Sequence, residues 1–490
     1  MQQSYLALDL GAESGRAVMG KWDGKALILE DVHRFPTGGT RLPDGMHWDV
    51  LRLFDGCKKG LGMASSGGTE LAAVGIDTWG VDFGLLDAND ELLANPRHYR
   101  DHANDGMVEL ADSILGRDRI YTATGIQIMQ INSLFQLLAL KQKRPALLQS
   151  AKTLLFIPDL LKFWLTGQKS TDYSIASTSQ MLDPHTRNWS GSLLESLGLP
   201  TGIISPPVMP GSVSGSVSSD VAAECGCASI PFISVGEHDT ASAVAAVPAD
   251  SEDFIFLSSG TWSLLGIELS APLVNSESQK RNFTNEGGVF NTIRLLKNVM
   301  GLWLVQECRR SFAINGRDIS YSELTEMAKK SAPFRSFIDP DHHAFLAPFN
   351  MVQAISQFCK DTGQPIPDSE GAFIRCCVES LVLKYRTVIE ELEILRGNSL
   401  HVIHVVGGGT QNRLLCQLTA DATRREVVAG PVEATAAGNI LMQAVGMGEI
   451  STLRDVRAIV RKSFSLDTYH PEGSSDAWNE AYSRFQLICN

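Results

Sequence analysis

The segment Asp9-Leu-Gly-Ala-Glu-Ser-Gly-Arg16 lies between two strand-like runs, Tyr5-Leu-Ala-Leu8 and Ala17-Val-Met19, and a turn at Asp23-Gly24 leads into a third, Ala26-Leu-Ile-Leu29. The spacing predicts strand, small-residue turn, strand, hairpin, strand. Gly11 and Gly15 tolerate unusual dihedrals and close approach, so such a turn can aim several backbone N–H groups at one anion, and Arg16 can add charge. The same residues equally suit a tight β-turn whose polar side chains only satisfy the backbone. The chain contains no Gly-x-x-x-x-Gly-Lys-Ser/Thr, which excludes a P-loop nucleotide site. No Gly-x-Gly-x-x-Gly opens a helix after the first strand, which argues against a dinucleotide fold.

At 490 residues the chain is too long for one compact core, so two domains are expected. Its 44% hydrophobic and 20% charged residues are those of a folded globular protein. The net charge of −13, with no long Lys/Arg run, argues against nucleic acid as a partner. No apolar run approaches the roughly 20 residues of a membrane span, and the N-terminus shows no charged leader or cleavage site. The expected location is the cytoplasm, with no membrane and no obligate protein partner. The nine cysteines are an odd number without zinc-ligand spacing, and read as reduced structural thiols.

The two halves open alike. Tyr5-Leu-Ala-Leu-Asp-Leu-Gly11 is echoed by Phe254-Ile-Phe-Leu-Ser-Ser-Gly260-Thr-Trp-Ser-Leu-Leu-Gly-Ile267, and both read as strand, small polar turn, strand. This suggests two domains of related topology, residues 1–247 and 248–490, although apolar–Gly–apolar patterns are common. Further strands are expected at residues 71–76, 231–235 and 401–406. Helices are expected at 107–117, 132–148, 300–312, 321–330, 370–396, 411–425 and 433–447.

Several residues carry candidate chemistry. Asp239 follows an apolar strand and precedes the small-residue run Thr240-Ala-Ser-Ala-Val-Ala-Ala246. A carboxylate there stands where ligands of α/β sheets gather, beside a helix N-terminus. It suits a base that orients a hydroxyl and takes its proton late, and it equally suits an N-cap. Gly407-Gly-Gly409 after a strand lets a planar ligand lie against bare backbone, or simply turns sharply. Ser258-Ser-Gly-Thr-Trp-Ser263 offers hydroxyls and amides to phosphate oxygens. Asp77-Thr-Trp-Gly-Val-Asp82 and Tyr99-Arg-Asp101 combine carboxylates with aromatics, a mixture that suits sugars, although core packing is the commoner fate of a single Trp.

In order along the chain, the segments 9–16, 75–87, 99–101, 236–244, 257–266, 285–288 (Asn-Glu-Gly-Gly), 296–307 and 405–412 resemble the FGGY carbohydrate kinases over nearly the whole length. The resemblance implies an α/β fold of two RNase-H/actin-like ATPase domains around a central cleft. The first would carry the sugar site, one phosphate turn and the catalytic Asp, and the second most of the ATP site. It implies ATP-dependent phosphorylation of L-rhamnulose at its C1 hydroxyl, with ATP and Mg2+ as cofactors. Asp239 would be the base, and Gly80, His238, Asp239, Thr240 and Asn298 would bind substrate. Ala12, Glu13, Ser14, Gly15, Arg16, Thr261, Gln306 and Gly408 would bind ATP, and Asp9 would act on the metal through water. Ala103, where relatives often carry Arg, and Glu237, where a smaller residue is common, depart from the pattern and bear on sugar selectivity. The rival readings are a kinase for another ketose such as L-fuculose, and an actin-like ATPase acting on a protein partner.

Overall fold

The expected meander forms as β1 (Gln3–Leu10), β2 (Ser14–Trp22) and β3 (Leu27–Pro36), antiparallel throughout. The computed structural model describes residues 2–489. β1 is buried from residue 5 to residue 10 because the sheet is covered on both faces. Ala17 and Gly20, three apart on β2, face opposite sides. A Cβ on Gly60 of the Val50–Ser65 helix would meet Ala17, and one on Gly20 would meet Ile440 of the Ala434–Gly446 helix. A strand buried on both faces reads as a continuous apolar run, which made β1 recognisable.

The chain divides into two compact units, neither continuous in sequence. The first gathers residues up to Asp250 with 268–296 and 434–464; the second gathers 251–267, 297–433 and the residues from Ser465 on. The first holds a 6-stranded sheet in the order Ser212–Ser216, Pro231–Ser234, Ala73–Thr78, β1, β2, β3. β1 pairs parallel with Ala73–Thr78, which pairs parallel with Pro231–Ser234. The outer Ser212–Ser216 strand is antiparallel. In the second unit Trp262–Leu269, Ile255–Ser259, Val402–Val406, Glu426–Ala429 and Asp467–Tyr469 lie side by side. They follow the same succession of antiparallel, parallel, parallel and antiparallel pairs. The similar openings of the two halves therefore extend to similar sheets.

Where helices differ from expectation, the backbone explains it. The run at 132–148 breaks into Ser133–Lys143 and Pro145–Ser150, because Pro145 has no N–H to continue the ladder. The run at 107–117 stops at Leu115, where Gly116 turns to φ 80° and a separate Arg117–Thr124 helix begins. The Val50–Ser65 helix was not expected, since Gly56, Gly60, Gly62 and the Lys58-Lys59 pair blur its periodicity. Asp49 caps it by accepting the Arg52 N–H. Within the second unit the Glu370–Arg396 helix is anchored to the hairpin by Tyr385 Oη, 2.6 Å from Ser263 Oγ. All nine cysteines are free thiols. Among the described residues no helix is long and apolar enough to cross a membrane.

The Asp239–Ala245 helix lies against Ala434–Gly446, and Gly438 is the reason it can. A Cβ on Gly438 would overlap the Ser242 carbonyl oxygen, a backbone atom that cannot swing aside. Gly438→Ala should therefore destabilise the protein by about 1–3 kcal/mol. A thermal melt checks this, and an unchanged midpoint would contradict the packing described.

Candidate active site

Three chain segments end together at one edge of the first sheet. Asp9 lies near the end of β1, and Asp77 near the end of the neighbouring parallel strand, paired with it in register. The next segment joins through a parallel bridge between Thr78 and His238 and a 2.9 Å bond from Thr78 N–H to Glu237 O. This sets Asp239 beyond the carboxyl end of Pro231–Ser234. His238, not Asp239, is the N-cap of the following helix, and Asp239 is its first residue. The helix dipole favours negative charge there.

Each carboxylate is held differently. Asp9 Oδ2 accepts from Arg16 Nε at 3.0 Å and Nη2 at 2.8 Å, the residue opposite it in the hairpin. Asp77 is fully buried, and Asn439 Nδ2 donates to its Oδ2 at 2.6 Å. Burial, reinforced by the nearby Asp9, pushes the Asp77 carboxyl well above the usual carboxylate range. Asp239 keeps 31% of its side chain exposed. Its Oδ1 accepts from the Thr240 N–H at 2.5 Å and Thr240 Oγ1 at 3.1 Å, with His238 Nε2 at 3.5 Å. Oδ2 accepts no hydrogen bond among the described residues. Desolvation raises the Asp239 pKa; His238 opposes the rise and Asp9 adds to it.

Behind this edge sits a network with no exposed side chain. Lys162 Nζ contacts Glu237 at 2.6 Å and Asp159 at 3.1 Å. Although burial works against its charge, Glu237 and Asp159 raise the Lys162 pKa and keep it protonated. Asp172 accepts the N–H groups of Ser174 and Ile175, and the Ser174 hydroxyl accepts the His238 N–H at 3.1 Å. Burial and the adjacent Glu237 push Asp172 up to about 7. The network fixes the backbone on both sides of residue 237, and sequence reading gave no hint of Lys162, Asp159 or Asp172.

The turn at residues 11–14 closes with Gly11 N–H to Ser14 O at 3.0 Å, and Thr37 Oγ1 donates to Gly11 O at 2.6 Å. Glu13 and Ser14 are exposed, Ala12 and Arg16 half-buried and Gly15 buried. Gly80 begins a second tight turn, with Asp82 N–H bonded to Gly80 O at 2.9 Å. Val81 within it has φ 69°, a conformation that costs a β-branched residue about 1–3 kcal/mol. Thr178 Oγ1 holds the Val81 N–H and Ser133 Oγ donates to the Val81 carbonyl, so the surroundings enforce the strain. Asp82 and Trp79 are buried scaffold: Asp82 accepts from Trp48 Nε1, Trp79 Nε1, the Tyr99 N–H and Gln136 Nε2. The Trp79 ring packs tilted against Trp48, with 3.9 Å between ring centroids. Asp101 is likewise spent on the N–H groups of Met46 and Ala103 and on Arg97.

In the second unit Thr261 forms the hairpin turn, and its carbonyl accepts the N–H groups of Gly301 and Trp303 at 3.2 Å each. Asn298 lies on the Ile293–Met300 strand and Gln306 on the Trp303–Ile314 helix. Gln306 Oε1 is buried without a hydrogen-bond partner, an atom that awaits a donor. The Gly-rich turn divides its labour. Gly407 takes φ 83°, Gly409 packs on Ser259, and a Cβ at exposed Gly408 would meet open space.

Comparison with known proteins finds a family match in both halves of the chain. Residues 4–246 match the N-terminal domain, and residues 255–447 the C-terminal domain, of the FGGY family of carbohydrate kinases. The rhamnulokinase of Bacteroides thetaiotaomicron is 44% identical over 486 residues, covering 99% of both chains. That of Oceanobacillus iheyensis is 40% identical over 469 residues, covering 96% of this chain and 98% of its own. Among solved structures, xylulose kinase from Rhodospirillum rubrum superimposes with a TM-score of 0.79 at 16% identity, covering 99% of this chain and 98% of its own. Plasmodium falciparum glycerol kinase with ADP gives 0.77 at 16% identity, covering 100% and 98%. The fold is the α/β, actin-like ATPase fold of these sugar kinases.

Asp77 offers a test of the electrostatics. A buried carboxyl with a raised pKa stays protonated in the folded chain while the unfolded chain ionises, so stability falls as pH rises above the unfolded value of about 3.9. Asp77→Asn, neutral at every pH, should flatten that decline in melts from pH 5 to pH 9. A decline of wild-type steepness would contradict the assignment.

Proposed function

We propose that this chain, which belongs to the FGGY family of carbohydrate kinases, transfers the γ-phosphoryl group of ATP to the C1 hydroxyl of L-rhamnulose. The product is L-rhamnulose 1-phosphate, in L-rhamnose breakdown, with the cytoplasm as the site of action. The choice of ketose follows the two full-length rhamnulokinases to which the chain is similar.

The observation that carries the reading is Asp239 Oδ2. It is a carboxylate oxygen left open at the sheet edge while Oδ1 is tied to Thr240. A substrate hydroxyl donating to Oδ2 has its oxygen lone pair turned toward phosphorus. As the new P–O bond forms, the bond from phosphorus to the ADP oxygen breaks and the hydroxyl proton passes to Asp239. Phosphoryl transfer asks little more of a base than orientation and late proton acceptance, so a carboxylate suffices.

In this reading the sugar also meets Gly80, His238, Thr240 and Asn298. The strained turn at Val81 supports Gly80, because strain enforced by a buried surround gathers at functional sites. The nucleotide meets Ala12, Glu13, Ser14, Gly15, Arg16, Thr261, Gln306 and Gly408. The orphaned Gln306 oxygen and the open space over Gly408 are the supporting features. Residues 1–247 then supply the sugar pocket, one phosphate turn and the base, and residues 248–490 most of the ATP site.

Magnesium fits the donor set. Among the described residues no cluster of three or more His, Cys, Asp or Glu forms a metal cage. Asp9 is the oxygen donor at this edge, since Asp77 is buried and held toward its neutral form, and a single carboxylate suits an ion that keeps most of its waters and relies on substrate phosphates. Asp9 would hold it through water, and the charge supplied there would offset that of the phosphate oxygens.

Asp239→Asn should lower ATP turnover with L-rhamnulose by about 100-fold or more, with ATP affinity within about twofold of wild type. Unchanged turnover would remove Asp239 from the role. The base must be ionised and its pKa is raised. The acid limb of kcat/KM should therefore fall as pH drops through a midpoint above the ordinary carboxylate value, and a midpoint at or below that value would contradict the environment described. Arg16→Ala should raise KM for ATP more than for the ketose; a selective loss of ketose affinity would contradict the placement of the first turn.

A further inference from the structure

Arg294 has no exposed side-chain surface, yet it stands beside the residue that flanks Asp239. Its Nε and Nη2 donate to Gly287 O at 3.0 and 2.9 Å. Nη2 also lies 3.2 Å from His238 Nδ1 and 3.2 Å from Glu286 Oε2. Glu286 Oε2 is in turn 3.3 Å from His238 Nδ1. On the other side of the ring, His238 Nε2 faces Asp239 Oδ1 at 3.5 Å. Arg294, Glu286, His238 and Asp239 thus form one chain of contacts. All four lie in the first compact unit.

The chemistry of the partners decides the imidazole proton. A guanidinium only donates. Of the groups against Nδ1, Arg294 Nη2 meets hydrogen-bond geometry, whereas Glu286 Oε2 is an ion-pair contact. A neutral imidazole that accepts at Nδ1 carries its proton on Nε2, which is the nitrogen facing Asp239. Glu286 balances the guanidinium charge so that it can be buried at all. Burial of an arginine–glutamate pair is otherwise a poor stabiliser, and apolar residues of similar size would serve the core as well or better. Arg294 Nη1 is also left without a partner, a cost that packing alone does not explain.

We propose that Arg294, charge-balanced by Glu286, is a positioning residue of this site. It holds His238 in the Nε2–H tautomer, so that the ring donates toward Oδ1 of Asp239 and leaves Oδ2 as the oxygen that takes the substrate proton. The inference rests on the reading of Asp239 as the base. It assigns a role to the Asn285-Glu-Gly-Gly288 segment, whose Glu286 and Gly287 carbonyl hold the guanidinium. The 3.5 Å contact is long, and contacts of this kind tighten when a site fills.

The test reads the tautomer directly. The 15N shifts of the His238 ring are recorded at a pH where the ring is neutral, in full-length protein with 15N-labelled histidine, and assigned by their loss in His238→Gln. Wild type should give the Nε2–H pattern. Arg294→Met alone strands a buried Glu286 and can fail to fold, so the informative variant is Arg294→Met with Glu286→Met, which keeps the charge balance and the volume. In that folded variant the Nε2–H pattern should give way to a mixture or to Nδ1–H. Its kcat with L-rhamnulose should fall about 100-fold, with KM for ATP within about twofold of wild type. An Nδ1–H pattern in wild type, an unchanged pattern in the double variant, or a shifted pattern with unchanged kcat would each overturn the proposal. The tautomer is read without substrate. Failure of the kinase reading would show separately, as wild type that lacks any ketose-dependent turnover.

Discussion

Three carboxylates, Asp9, Asp77 and Asp239, end on one edge of one sheet, and much of the surrounding structure is a response to their repulsion. Neighbouring strands lie about 4.8 Å apart, where two like charges repel by about 3 kcal/mol at an effective dielectric of about 20. The chain meets this with a different device at each position. Arg16 stands opposite Asp9 in the hairpin and shares its charge. Asp77 is buried against Asn439 and driven toward its neutral form. Asp239 is the most exposed of the three, steadied by Thr240 and His238. One carboxylate with an open oxygen emerges from a crowded acidic edge, the arrangement on which the role proposed for Asp239 rests.

Holding that edge in place demands rigidity from elements far apart in sequence. The Ala434–Gly446 helix brings Asn439 to Asp77 and Gln443 to the Leu6 carbonyl, and it fits only because Gly20, Gly75 and Gly438 lack side chains where it packs. Lys162 and its carboxylates lock the backbone at Glu237, and Asp172 with Ser174 does the same at His238. The Gly80 turn is held in a strained form by Thr178 and Ser133. Binding and catalytic groups placed on such a framework pay less reorganisation when substrate arrives.

What the sequence disclosed was local. β1, β2 and the Ile255–Ser259 hairpin strand are apolar runs separated by small polar turns, and both periodicity and turn chemistry are written within a dozen residues. The long Glu370–Arg396 helix was legible for the same reason. The Val50–Ser65 helix was not, because its glycines serve contacts with Phe35 and Ala17 that only the folded chain reveals. Trp79 and Asp82 suggested a sugar wall, yet their hydrogen bonds face inward, and a lone Trp carries no sign of which way it points. His238 rather than Asp239 took the capping position, a difference of one residue that depends on backbone dihedrals. The pairing of Arg294 with His238, 56 residues apart, lies beyond any local pattern.

The most direct test of the account is ADP release measured with ATP and magnesium against L-rhamnulose, L-fuculose, L-xylulose, glycerol and an unfolded peptide. The account predicts a strong response to L-rhamnulose and little to the others. A preference for another ketose would contradict the substrate while leaving Asp239 as the base. Stimulation by peptide, with no response to any sugar, would contradict the sugar-kinase account itself.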